Sequence, residues 1–133
     1  MSTKEQSKYY DLYTSGLGYL NSVKDVNPEN GLPFLAVRIS ALRGDITALQ
    51  RTHFNCVVMG LKTMDFVRQL ALEVNAGKRV LIGFKLSDIH PQIFYFDSGP
   101  RVGQAGVNMR GRLIRIDWAR VNGVTMEPPL AEA

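Results

Sequence analysis

The chain has 133 residues, 45% of them apolar and 21% charged, the composition of an ordinary globular chain of single-domain size. A core of that size folds without disulfide or metal staples, which excludes disorder and collagen-like repetition. No apolar run reaches the roughly 18 residues of a membrane span. The net charge of +4 is unevenly placed. Residues 1–77 carry eight bases and seven acids, residues 78–120 eight bases and three acids, and residues 121–133 two acids and no base. A basic second half points to a polyanionic partner. A solubilising surface explains the same excess, and charge alone does not separate the two.

The start, Met1-Ser2-Thr3-Lys4-Glu5-Gln6-Ser7, lacks the apolar stretch of a secretory signal. The lone Cys56 has no internal disulfide partner, as suits a reducing compartment. A cytoplasmic location without membrane attachment is therefore expected.

In chain order, residues 1–16 read as a polar arm carrying Tyr9, Tyr10 and Tyr13. A first strand is expected from Leu17 to Val26, closed by the turn cluster Asn27-Pro28-Glu29-Asn30-Gly31. After Pro33, Leu35, Val37, Ile39 and Ala41 alternate with Phe34, Ala36, Arg38 and Ser40, which predicts a strand with the first set inward. Arg51 to Met59 predicts a third strand, with Phe54, Cys56 and Val58 on one face and His53, Asn55, Val57 and Met59 on the other.

A helix follows to about Ala76, with Thr63 as the expected N-cap and Asp65 in its first turn. Its apolar stripe is Phe66, Val67, Leu70, Ala71 and Val74, and Gly77 occupies the C′ position. Lys78 to Leu86 predicts a fourth strand and Phe94-Tyr95-Phe96 a short hairpin arm. Ser98 to Val107, with three glycines and Pro100, reads as a mobile loop. Met109 to Val121 is the last strand, and Asn122-Gly123 a tight turn. The prolines of Met126-Glu127-Pro128-Pro129-Leu130 rule out regular structure there. The expected organisation is an arm (1–16), one domain (17–123) and a short tail (124–133).

Strands before and after a single helix do not make a βα alternation, so antiparallel pairing is expected. Five strands in about 105 residues can bury their inner faces by curling into a small barrel, which also removes edges. The fold class expected is all-β with one helix.

Catalytic groups are sparse. His53 and His90 lie in different segments and with Cys56 make a poor zinc set. An inward-facing Cys56 reads as an inert thiol. Gly16-Leu17-Gly18 precedes a strand, so it is no dinucleotide loop. Gly106 to Leu113 has phosphate-loop glycine spacing, but Arg112-Leu113 replaces Lys-Ser/Thr. Neither an enzyme nor a bound cofactor or metal is expected.

Binding is better represented. Single-stranded nucleic acid is held by basic grooves with aromatic platforms. Arg38, Lys85, Arg110, Arg112, Arg115 and Arg120 fall on expected strands, interleaved with Phe34, Phe94, Tyr95, Phe96 and Trp118. On the last strand Arg110, Arg112, Ile114, Ile116, Trp118 and Arg120 share one parity, unless a bulge breaks it. Phe66 and Phe84 read as core. So do Phe94 and Phe96, as a plug at one barrel end. Arg115 reads as a solvated charge and Phe34 as surface, while Trp118 is evenly balanced between core and surface.

The order of motifs from Gly18 to Gly123 resembles bacterial single-stranded DNA-binding proteins of the oligonucleotide/oligosaccharide-binding (OB) fold. Gly18-Tyr19-Leu20, Phe34 to Ala41, Thr52 to Gly60 and Gly77-Lys78-Arg79-Val80 resemble that family's first three strands and its entry to the fourth. More narrowly, Pro33 to Ala36, Ala41 to Gly44, Ala76 to Phe84 and Met109 to Leu113 resemble a replication-associated family of integrative and conjugative elements, known as a domain of unknown function. The resemblance implies a five-stranded Greek-key OB barrel with its helix between strands 3 and 4.

Joined to the basic and aromatic residues above, the resemblance leads to the expectation of single-stranded DNA binding, with RNA left open by the same fold, through Phe34, Arg38, His53, Asn55, Lys85, Tyr95, Arg110, Arg112, Trp118 and Arg120. A homo-oligomer is expected, as are replication or conjugation proteins as partners. His53 stands where the family's stacking tryptophan falls and Met59 where a phenylalanine falls, so Phe94, Tyr95 and Phe96 would have to compensate. The thinner platform leaves an alternative open: an OB-fold interaction or structural subunit with weak or no nucleic-acid binding.

Overall fold

A computed structural model describes residues 10–126. Its elements are β1 (Tyr13–Val26), β2 (Phe34–Arg43), β3 (Gln50–Val58), α1 (Leu61–Asn75), β4 (Val80–Tyr95), β5 (Ala105–Val121) and β6 (Val124–Met126). The strand order is β3-β2-β1-β4-β5-β6, and a further parallel pairing of β3 with β5 closes the first five into a barrel. All other pairings are antiparallel. A closed five-stranded barrel of this order, with its helix between β3 and β4, is the OB fold.

The alternation in β2 and β3 builds one side of the core. Leu35, Val37, Ile39 and Ala41 are buried, as are Phe54, Cys56 and Val58, and their partners across the ladder keep both sets on the inner face. Phe84, Leu86, Leu113, Ile116, Ala119 and Val121 complete the wall, and Phe66, Val67 and Leu70 of α1 cover one end. Ser40 departs from the outward set: it is fully buried, and its hydroxyl has no hydrogen-bond partner among the described residues.

The helix begins earlier than expected. Gly60, at φ +91°, is the N-cap, and Thr63 lies inside α1, where its hydroxyl donates to the Ile114 carbonyl at 3.2 Å. Asp65 therefore stands beyond the first turn. The C-terminus follows expectation. Gly77, at φ +81°, donates to the Val74 carbonyl, and Lys78 donates to that of Glu73. That pair of bonds closes a Schellman motif.

Strand lengths differ more. β1 starts at Tyr13, so the last residues of the expected arm are paired with β4 from Tyr13↔Ser87 onward. Residues 1–9 of that arm, and the prolines of the tail, lie outside the described residues. β4 is one strand from Val80 to Tyr95, passing through Pro91. Beyond Ser87 it has lost β1 as a neighbour, and an edge strand tolerates a proline. β5 begins at Ala105, and the connection before it is a tight turn held by backbone bonds such as Gly103 N–H to the Phe96 carbonyl (2.8 Å).

Phe94 and Phe96 do not plug the barrel. They are half-buried against each other near the tip of the β4–β5 hairpin, edge to face at 4.9 Å. Asn122 (φ +49°) and Gly123 (φ +86°) form the expected two-residue turn, and it adds β6 to the edge of β5.

Candidate nucleic-acid interface

The outer face of the barrel carries two cross-strand rows of side chains fixed by strand register, the first polar throughout and the second with a cation at each end. In the first, Ser22 of β1 stands beside Arg38 of β2, Arg38 beside Asn55 of β3, Asn55 beside Arg110 of β5, and Arg110 beside His90 of β4. Two residues further along the strands, Lys24, Ala36, Val57 and Arg112 form the second row. Phe34, opposite Val26, closes that end. Neighbouring strands lie about 4.8 Å apart and alternate outward residues about 6.7 Å apart, so the two rows hold their polar and charged side chains close together.

These residues line an open cleft of about 630 Å³. Four fixed cations, Lys24, Arg38, Arg110 and Arg112, face one carboxylate, Asp88. Among the described residues, Asp88 lies 3.7 Å from the Arg112 guanidinium, whereas Lys24, Arg38 and Arg110 meet no carboxylate. Three other acids are engaged away from it: Asp25 with Arg68 of α1, Glu73 with Lys78, and Asp117 with Arg115. The cleft is consequently electropositive.

Local irregularities shape it. A shift of register between Ser87 and His90 places Asp88 at φ +55° and lays the Ile89 side chain over Gly111, where a Cβ would stand 2.7 Å from Ile89 Cδ1. The Asp88 carbonyl hydrogen-bonds His90 Nδ1 at 2.8 Å. The floor is apolar and includes Cys56, whose thiol burial pushes its pKa up to about 12, against the opposing pull of the Arg110 guanidinium. At neutral pH it is a buried, protonated thiol and a poor nucleophile.

Of the residues expected to bind, Phe34, Arg38, Asn55, Arg110 and Arg112 come together here. His53 lies one outward position beyond Asn55, exposed and paired with Ser40. Tyr95 is exposed at the far end of the β4–β5 hairpin. Lys85, Trp118 and Arg120 do not line the cleft. Lys85 lies 4.1 Å from the Tyr13 ring, Trp118 covers Gly83, and Arg120 stacks on Trp118 at 5.5 Å.

The shared parity expected along β5 fails at two irregularities. The ladder with β4 passes over Ile114 and again over Asp117, so Ile116 turns into the core. Lys24, His90 and Gln92 were absent from the expected set and enter by register alone.

Among solved structures, the chain is similar to a small single-stranded DNA-binding protein from Streptomyces coelicolor, at TM-score 0.44 and 13% identity, over 79% of this chain and 91% of that one. It is also similar to a mitochondrial single-stranded DNA binding protein from S. cerevisiae, at TM-score 0.39 and 14% identity, over 83% of this chain and 93% of that one. No curated protein matches its sequence. A family model matches residues 3–131, nearly the whole chain, and the protein accordingly belongs to the family described as "Protein of unknown function (DUF3577)".

Proposed function

We propose that the protein binds single-stranded nucleic acid, DNA first, in the cleft between the Arg38–Asn55–Arg110 and Lys24–Arg112 rows. One observation carries this reading: four cations face a single carboxylate on an open, apolar-floored surface. A polyanion with exposed apolar bases matches such a surface better than a compact anion does. The guanidiniums would take phosphates, Asn55 would donate to and accept from base edges, and Phe34 would offer the stacking face at the cleft's end.

In the same reading, self-association and service to replication or conjugative transfer of a mobile element are proposals resting on the sequence resemblance. The sparse aromatics favour a second reading, that of an interaction subunit. Phe34 is the sole aromatic lining the cleft among the described residues.

Fluorescence anisotropy with labelled oligo-dT, matching RNA and duplex DNA over a salt series decides between the two. Binding to single strands with a log–log salt slope of about −2 to −3, from three or four neutralised phosphates, is expected. No binding at low salt overturns the proposal and moves the function to protein contacts. RNA bound more tightly than DNA would instead assign the cleft to 2′-hydroxyl recognition.

A further inference from the structure

A second group of cations gathers on one aromatic ring outside the cleft. Tyr19 faces outward from β1, half-buried. The Arg79 guanidinium lies 5.0 Å from its ring centroid, and an Arg79 Nη donates to Tyr19 Oη at 2.8 Å. Arg51 lies 5.6 Å from the same ring. With Lys78, these side chains line a second open cleft of about 420 Å³.

No acid lines this second cleft among the described residues, and Glu73 beside it is engaged by Lys78 at 2.9 Å. Two guanidiniums held on one ring without a carboxylate repel each other, and an anion between them relieves that repulsion. The Tyr19 hydroxyl orients Arg79 in advance, which lowers the ordering cost of taking a phosphate.

Register places this group on the extension of the first cleft. Tyr19 pairs with Ser40, and Ser40 with His53, one outward row beyond Arg38 and Asn55. Arg51 pairs with Leu42, one row further. From Phe34 to Leu42 the outer face of β2 advances about 26 Å. His53, exposed between the two cation groups, stands on the connecting path.

We propose that the Tyr19–Arg51–Arg79 cluster is a second phosphate-binding station for the same single strand, which leaves the first cleft across His53. The inference rests on the reading of that cleft as a single-strand site.

The test compares oligo-dT of about 4 and about 16 nucleotides, the span of footprints known for one OB fold. Each is titrated over a salt series with the wild type, Arg51→Ala/Arg79→Ala and Arg51→Lys/Arg79→Lys. The alanine pair is expected to bind the short oligonucleotide as the wild type does, which also shows that it is folded. It should bind the long one about tenfold more weakly, with a salt slope shallower by about 1.4, two phosphates at about 0.7 each. The lysine pair should keep the wild-type slope. Unchanged binding of the long oligonucleotide, or an equal loss at both lengths, overturns the second station while leaving the first cleft standing. A wild type that binds neither length overturns the first cleft and this inference with it.

Discussion

The Asp88 carboxylate lies 3.7 Å from the Arg112 guanidinium, and among the described residues it is the one acid in a cleft of four fixed cations. It withdraws part of one cation's charge from any anionic ligand. Asp88→Asn should therefore tighten binding to single strands severalfold at low salt, with the gain fading as salt screens the cleft. Asn tolerates the φ of +55° that this position requires, so the fold should be unaffected. Equal affinity for the variant and wild type across the salt series would remove Asp88 from the site's electrostatics.

Arg38 and Arg110 flank Asn55 in one row. Neither has a carboxylate partner among the described residues, so their charge is available to phosphates. Each Arg→Ala change should weaken oligo-dT binding by about five- to tenfold and flatten the salt slope by about 0.7. The melting temperature should move little for the exposed Arg38, where such substitutions stay within about 0.5 kcal/mol, and somewhat more for the half-buried Arg110. Anisotropy and thermal melting on the same samples separate a lost contact from a lost fold.

At Gly18 the β1 backbone closely approaches that of β2. A Cβ there would stand 2.4 Å from the Ser40 carbonyl oxygen and 2.6 Å from the Ala41 Cα, both backbone atoms. No side-chain rotation relieves such a clash, so Gly18→Ala must separate the strands. A loss of about 3 kcal/mol in denaturant unfolding is expected. A variant as stable as the wild type would mean that β1 shifts along β2 without cost.

Cys56 links stability to alkaline pH. Its folded-state pKa, near 12, lies above the ordinary thiol value of 9.0 because burial penalises the thiolate. The unfolded chain thus releases this proton first. The contribution is complete below about pH 9 and declines as pH rises toward 12, by up to about 1.4 kcal/mol per pH unit. Cys56→Val should remove that part of the slope, read as the difference between the two proteins' unfolding curves at pH 8 and pH 10.5. Parallel slopes would show that the thiol ionises equally readily in both states.

How far these features were legible in the sequence depended on regularity. The alternation in β2 and β3 placed Arg38 and Asn55 outward and Val37 and Cys56 inward, because an unbroken two-residue period leaves no other choice. Asn122-Gly123 and Gly77 announced their turns through backbone conformations that few residues adopt. β5 resisted the same treatment: irregularities at Ile114 and Asp117 each reset the parity, and no residue type marks them.

Lys24, His90 and Gln92 reach the cleft through long-range register, β1 on β2 and β4 on β5, which a single strand's pattern does not contain. The fourth strand was expected to stop at Leu86, yet β4 runs on to Tyr95, passing Pro91 where it has become an edge. Thr63 resembled an N-cap, yet its hydroxyl serves Ile114 across the barrel.

The parallel pairing of β3 with β5 has a consequence for how ligands can be found. It sets Asn55 beside Arg110 and Val57 beside Arg112, joining residues more than fifty positions apart in the chain. With Lys24 from β1 and His90 from β4, the cleft draws on every strand of the barrel. An unfolded or partly closed chain has no such surface, so occupancy and folding are thermodynamically linked. A ligand present at a hundred times its dissociation constant adds about 2.7 kcal/mol to stability. A rise in melting temperature therefore ranks oligonucleotides of differing base, sugar and length directly, without labelling any of them.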